Sequence, residues 1–198
     1  MRRIVMFNRV SADGYFSDAT GNLDWALPDD ELEQAGVEGM QESDTILFGR
    51  RTYEAFEGFW RHALDASDQV SDPHAPGRSN PRLGAMAKWI NQAHKLVWSR
   101  TLSQVTWHNA RVSRDFEPRE VEALKRQPGG SIMLFGSASI ASLLTQHQLV
   151  DEYQFIITPI LLGSGKNLIR ELPERLRLKL REAKSTAAGN VRLRYTPE

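Results

Sequence analysis

A chain of 198 residues is long enough to bury an adequate core without metal or disulfide staples. Its 25 basic residues balance its 25 acidic ones, so no global field draws it to nucleic acid or to an anionic membrane, and any basic function has to be local. Cysteine is absent, which excludes disulfides, thiolate zinc sites and cysteine nucleophiles and fits a reducing compartment.

The opening MRRIVMFNRV has an apolar run that breaks at Asn8 and Arg9, too short for a signal peptide or a membrane span. It reads as a first strand, Ile4 to Phe7, of a cytoplasmic protein. SADGYFSDATGNLDW then reads as a polar loop, and LPDDELEQAGVEGMQESD as a helix with Pro28 in its first turn, weakened by Gly36 and Gly39. Thr45 to Phe48 is a buried strand. Tyr53, Ala55, Phe56 and Phe59 mark the apolar side of the helix after it.

DASDQVSDPHAPGRSNPRLG, rich in Pro, Ser, Asp and Gly, reads as a loop or flap within one domain spanning 1–198. KLVWSRTL and VTWHNARVS follow as strands, EPREVEALKRQ as a helix with Pro118 near its start, and QPGG as the turn that stops it. SIMLFGSASIASLLTQHQLV repeats the earlier pattern of apolar run, small polar residues and amphipathic helix. EYQFIITPIL is a strand and LLGSGKNLI a glycine-tipped turn. The alternation in LRLKLRE and VRLRY puts Leu176, Leu178 and Leu180, then Val191, Leu193 and Tyr195, on one face of two half-exposed antiparallel strands. The expected fold is α/β, a mixed and mostly parallel sheet between helices on both faces, with antiparallel C-terminal strands.

Three segments end alike: Gly49, Arg50, Arg51 and Thr52; Ser99, Arg100 and Thr101; Gly136, Ser137, Ala138 and Ser139. In parallel sheets ligands bind beyond the carboxyl ends of the strands, where helix N-terminal amides attract phosphate. Each segment alone would pass as a solvated helix start, a strand end or a helix cap. Together they point to one extended polyanion, a dinucleotide more readily than a lone phosphate, whose phosphates arginine can grip in bidentate fashion.

Other chemistries find no support. GSGKN lacks the first glycine of a phosphate loop, where Ile160 stands, and its final Ser or Thr, where Asn167 stands. The histidines at 62, 74, 94, 108 and 147 show no metal-ligand spacing, and there is no Gly-x-Ser-x-Gly elbow. No metal is expected.

In order and character, ILFGRRTYE, KLVWSRTL, IMLFGSASIASLL and LVDEYQFIITPILLGSGKNLI resemble the dihydrofolate reductase-like superfamily. The match is closest to the branch that contains the reductase domain of riboflavin biosynthesis and its stand-alone relatives. The resemblance implies a three-layer α/β/α fold and NADPH as cofactor. It assigns Gly49, Arg50, Arg51 and Thr52 to the phosphates, Ser99, Arg100 and Thr101 to the adenosine and its 2'-phosphate, and Gly136 and Ser137 to the pyrophosphate, with Ala138 and Ser139 beside them in the cofactor site. The peptide between Gly136 and Ser137 is one that the family often holds cis.

The resemblance further implies a proton-donating carboxylate in the first helix. Asp30 fits the local motif after Leu27 and Pro28, and Glu33 the distance to Gly49, while Asp29 and Glu31 stand beside them at a helix start that favours acidic residues. Ser11, Asp13 and Trp25 belong to the loop that the family places over nicotinamide and substrate, with Asp13 either an acid or an Asx turn before Gly14. The implied activity is NADPH-dependent reduction of a small heterocyclic substrate, most like the 5-amino-6-(5-phosphoribosylamino)uracil reductase of riboflavin biosynthesis. Dihydrofolate reduction, and a dinucleotide-binding module without turnover, are the alternatives. A homodimer is expected, with a small-molecule substrate and no membrane or nucleic-acid partner.

Overall fold

The structure, a computed structural model, describes residues 1–26, 28–65, 71–72, 75–79 and 81–198. In chain order its elements are β1 (Ile4–Ser11), α1 (Asp30–Gln41), β2 (Ser43–Gly49), α2 (Arg50–Trp60), β3 (Ser71–Asp72), β4 (Ala75–Ser79), α3 (Pro81–Gln92), β5 (His94–Trp98), β6 (Ala110–Ser113), α4 (Pro118–Arg126), β7 (Ser131–Phe135), α5 (Ala138–Gln146), β8 (Glu152–Thr158), β9 (Leu178–Ser185) and β10 (Val191–Pro197).

An eight-stranded sheet runs in the order β6-β5-β2-β7-β1-β8-β10-β9. From β6 to β8 every neighbouring pair is parallel; β10 runs antiparallel to β8, and β9 antiparallel to β10. The central strands are buried on both faces, which is why they read as unbroken apolar runs rather than as alternation. Ile4, Met6, Leu47, Leu96, Ile132 and Leu134 pack beneath Val121 and Leu124 of α4 and Ile140 and Leu144 of α5. On the opposite face Val5, Ile46, Phe48, Val97, Met133 and Phe135 meet Met40 of α1, Tyr53 and Trp60 of α2, and Leu83, Ala87 and Ile90 of α3. The result is the expected three-layer arrangement.

Local departures have physical reasons. Pro28 stands before the N-cap Asp29, outside the first turn of α1, and Leu27 lies outside the described residues. On α2, Ala55 is exposed, and Trp60 joins Tyr53 in the buried set. The stretch read as a loop from 65 to 84 carries the β3–β4 ribbon and the first turn of α3; residues 66–70, 73, 74 and 80 within it lie outside the described residues. The strand expected in VTWHNARVS is confined to β6, because Trp107 is buried in the turn before it, its Nε1 donating to Asn91 Oδ1 at 2.7 Å.

At the C-terminal end Leu176, Leu178 and Tyr195 pack against the first core as the alternation implies, but Leu180 is 53% exposed. It lies on the edge strand, where the register shifts between Arg194 and Tyr195. Arg2, part of the charged opening, is buried. It bonds Gly130 O at 2.7 Å and Thr45 Oγ1 at 2.7 Å and pairs with Asp44, tying the start of β1 to β2.

Candidate functional site

The parallel register brings the three junctions together. β2 lies between β5 and β7, Gly49 is paired with Trp98, and Leu47 with Leu134, so the segments beginning at residues 49, 99 and 136 leave the sheet side by side. A cleft of about 1190 Å³ opens over these strand ends, and every residue from Gly49 to Thr52, Ser99 to Thr101 and Gly136 to Ser139 lines it. Ligand pockets commonly enclose about 300–1,000 Å³, so this cleft is larger than most single-ligand sites.

Close packing sets the floor. A Cβ at Gly49 would lie 2.0 Å from Ser137 Oγ, so glycine lets the end of β2 approach the start of α5 without displacing Ser137. Gly136 and Ser137 both take left-handed backbone, φ 55° and 60°, a conformation that costs a non-glycine residue about 1–2 kcal/mol. The peptide between them is trans, since no described residue has a cis bond. The Gly136 amide donates to Asn8 Oδ1 at 2.9 Å, which ties this turn to β1.

Helix polarity separates two ends of the cleft. Neither Gly49 nor Ser137 gives its helix a side-chain cap, and the first turns of α2 and α5 carry no acidic residue. Those helix starts favour anions. By contrast α1 is capped by Asp29 and has Asp30, Glu31 and Glu33 in its first turn, which disfavours an anion there. Arg50 holds Glu54 at 3.1 Å on the exposed side of α2, while Arg51 and Arg100 are exposed. Ser99 is buried, and its hydroxyl accepts from the amides of Thr101 at 3.3 Å and Leu102 at 2.9 Å, so it shapes the turn that presents Arg100.

The candidate carboxylates are scattered. Glu33 lines the cleft, together with Leu32, Gly36 and Met40 of α1. Asp30 does not; it is exposed, its carboxylate 3.7 Å from Arg82. Asp13 is exposed too and fastens two loops: it accepts from Ser11 Oγ at 2.6 Å and from the amides of Leu162 at 3.1 Å and Gly163 at 2.8 Å. The Ser11 bond, helped by those amides, holds the Asp13 carboxyl below its ordinary value. Ser11, itself buried, accepts from the Tyr15 amide at 3.0 Å. Trp25 is buried, and its Nε1 has no hydrogen-bond partner among the described residues. Neither residue lines the cleft, whereas Phe16, Ser17, Gly21 and Leu23 of the same loop do.

The structure adds lining residues that no motif announces. Phe56, Met86, Ile90 and Phe135 wall the α1 side, Ser142 and Gln146 line the cleft from α5, and Arg170 lines it from the loop after β8. Phe56 and Phe135 pack with ring centroids 5.6 Å apart. Helical spacing could have offered Met86 and Ile90; Arg170 reaches the site only through a loop whose amide donates to Ser142 Oγ at 3.0 Å.

Residues 2–192 match the RibD C-terminal domain family. The chain belongs to that family. YyaP of Bacillus subtilis (strain 168) is 28% identical over 194 residues, covering 98% of this chain and 94% of its own length. YwjB of the same organism is 26% identical over 204 residues, covering 98% and 97%. Both are described as uncharacterized.

Among solved structures, a Shewanella sp. PV-4 protein described in terms of riboflavin biosynthesis superposes with a TM-score of 0.74 at 20% identity, covering 100% of this chain and 99% of that one. The Thermotoga maritima diaminohydroxyphosphoribosylaminopyrimidine deaminase/5-amino-6-(5-phosphoribosylamino)uracil reductase gives 0.65 at 13% identity; this chain is covered completely and spans 57% of that longer one. These likenesses are of fold. Among the described residues no helix is long and apolar enough to cross a membrane.

Proposed function

We propose that this chain is an NADPH-dependent reductase that delivers hydride to a small heterocyclic C=N or C=O acceptor. One observation carries the reading: three junctions on adjacent parallel strands, which together present glycines, hydroxyls and arginines, line one cleft with two helix starts that have no side-chain cap. The donor set suits the group. Backbone amides and hydroxyls of Gly49 to Thr52 and Gly136 to Ser139 would hold the pyrophosphate, and Arg100 and Arg51 the 2'-phosphate.

NADPH, when bound, supplies the hydride. The protein then has to orient the acceptor, exclude water and deliver a proton. Phe56, Met86 and Phe135 form an apolar wall against water. Glu33 is the carboxylate on the first helix that lines the cleft, and we assign it the proton-delivering role ahead of Asp30 and Asp13. Ser11 and Trp25 would then shape the pocket from behind its walls.

The first acceptor to test is 5-amino-6-(5-phosphoribosylamino)uracil, the substrate named for the Thermotoga relative. Dihydrofolate is the second, favoured by a carboxylate on α1 that lines the cleft. The reading includes a cytoplasmic homodimer, for which light scattering on the purified protein is the test.

The deciding experiment titrates purified protein with NADPH and NADH at fixed salt, then follows NADPH oxidation with each acceptor. Tighter binding of NADPH by tenfold or more, about 1.4 kcal/mol, with turnover of one acceptor, supports the reading. Binding of neither nucleotide overturns it; binding without turnover of a broad acceptor panel leaves a dinucleotide-binding module.

A further inference from the structure

The start of α1 is fastened to the far end of the chain. Asp29 is 4% exposed, and its two carboxylate oxygens do different work. Oδ1 accepts from the amides of Glu31 at 3.0 Å and Leu32 at 3.1 Å, capping α1. Oδ2 accepts from Thr186 Oγ1 at 2.6 Å and Asn190 Nδ2 at 2.7 Å, both in the turn between β9 and β10. Glu31 adds a bond of its own, accepting from the Ala187 amide at 2.8 Å.

The turn is itself well ordered by bonds. Thr186 N donates to Asn190 O at 2.9 Å and Gly189 N to Thr186 O at 3.0 Å, with Gly189 at φ 84°. It grows from β10, which pairs with β8 and so with the central sheet. Leu32, Glu33, Gly36 and Met40, spread along α1 from its first turn to its last, line the cleft, but Asp29 does not.

We infer that Asp29 is a positioning residue: the β9–β10 turn, acting through it, fixes where α1 places Glu33 and its neighbours, and thereby sets the acceptor side of the cleft without touching the dinucleotide side. The inference takes the reductase reading as its basis. Burying a carboxylate is unfavourable unless its hydrogen bonds are satisfied, and here four donors meet it. A cap alone needs only the two amides. The extra two donors, from a segment more than 150 residues away, serve the placement of the helix.

The test exchanges the partners. Asn190→Asp sets two carboxylates against each other; Asp29→Asn with Asn190→Asp restores a donor facing an acceptor, and asparagine caps a helix as well as aspartate does. Thr186→Val is a milder variant that removes one donor. For each, NADPH dissociation constant, acceptor KM and kcat for dihydrofolate and 5-amino-6-(5-phosphoribosylamino)uracil, and amide exchange across residues 31–40 are measured.

The expected result is a tenfold or greater rise in acceptor KM for Asn190→Asp, a smaller one for Thr186→Val, NADPH binding within twofold of the parent, and recovery in the double variant. An unchanged KM in folded Asn190→Asp overturns the inference, as does an equal loss of NADPH binding or a folded double variant that stays impaired. If the parent turns over neither acceptor, the choice of acceptor is what has failed; if it also binds neither nucleotide, the reductase reading has failed. Amide exchange then decides the placement role: acceleration confined to residues 31–40 in Asn190→Asp and reversed in the double variant supports it, and unchanged exchange overturns it.

Discussion

Ser137 occupies the space that a side chain at position 49 would need. Its Oγ would stand 2.0 Å from a Cβ on Gly49, and its own Cβ 3.3 Å away. This contact joins the two helix starts at the centre of the proposed phosphate site. Gly49→Ala is therefore expected to push α5 from β2, lower stability by about 1–3 kcal/mol and weaken NADPH binding. Adding Ser137→Ala removes the worst contact and should recover most of the stability but not the affinity, because it also removes a hydroxyl proposed to hold the pyrophosphate. Thermal unfolding and nucleotide titration check this; a Gly49→Ala protein with parental stability and affinity would contradict it.

Much of this site is legible in the sequence because its parts are local. A run such as ILFG followed by a helix pattern marks a strand end and a helix start within ten residues, and the chain does so repeatedly. Sheet order then only has to bring the ends together. The acceptor side is less legible, because α1 is positioned by contacts between residues 29 and 186–190 that leave no trace in periodicity. α3 shows a different limit: Leu83, Ala87 and Ile90 keep helical spacing, but its first turn lies inside a Pro- and Gly-rich stretch that reads as loop.

Charge discrimination should reside in Arg100. It is exposed at the cleft rim on a turn braced by Ser99, so its loss disturbs little else. Arg100→Ala is expected to weaken NADPH about tenfold and NADH less than twofold, which is about 1.4 kcal/mol assigned to the extra phosphate. Equal weakening of both nucleotides would move the 2'-phosphate contact elsewhere.

Glu33 and Asp13 make opposite predictions. Glu33→Gln should reduce turnover about 10²-fold or more with NADPH affinity unchanged, the size expected when a proton donor is removed. Asp13→Asn should leave the pH dependence of turnover intact, because its carboxylate fastens Leu162 and Gly163 instead of lining the cleft. Its effect should appear as faster amide exchange at those two residues. A pH profile that changes with Asp13 and not with Glu33 would reverse the assignment.

Acid stability should depend on Glu152. This residue is buried on β8, and burial pushes its carboxyl up. Bonds from Arg194 at 2.8 Å and Gln154 at 2.6 Å, with the charges of Arg194 and Arg3, outweigh that and hold it below its ordinary value. A carboxyl depressed in the folded state contributes stability that is fully present above its unfolded value of about 4.3 and is lost as pH falls through the folded one. Glu152→Gln should therefore cost about 1–3 kcal/mol at pH 7, through the charged hydrogen bonds to Arg194 that it gives up. The gap between parent and variant should narrow as the pH falls below that unfolded value and on through the folded one, because the parent loses its carboxylate there while glutamine has none to lose. Denaturant midpoints across that range measure it, and a gap that stays constant with pH would place the stabilising role of Glu152 outside its charge.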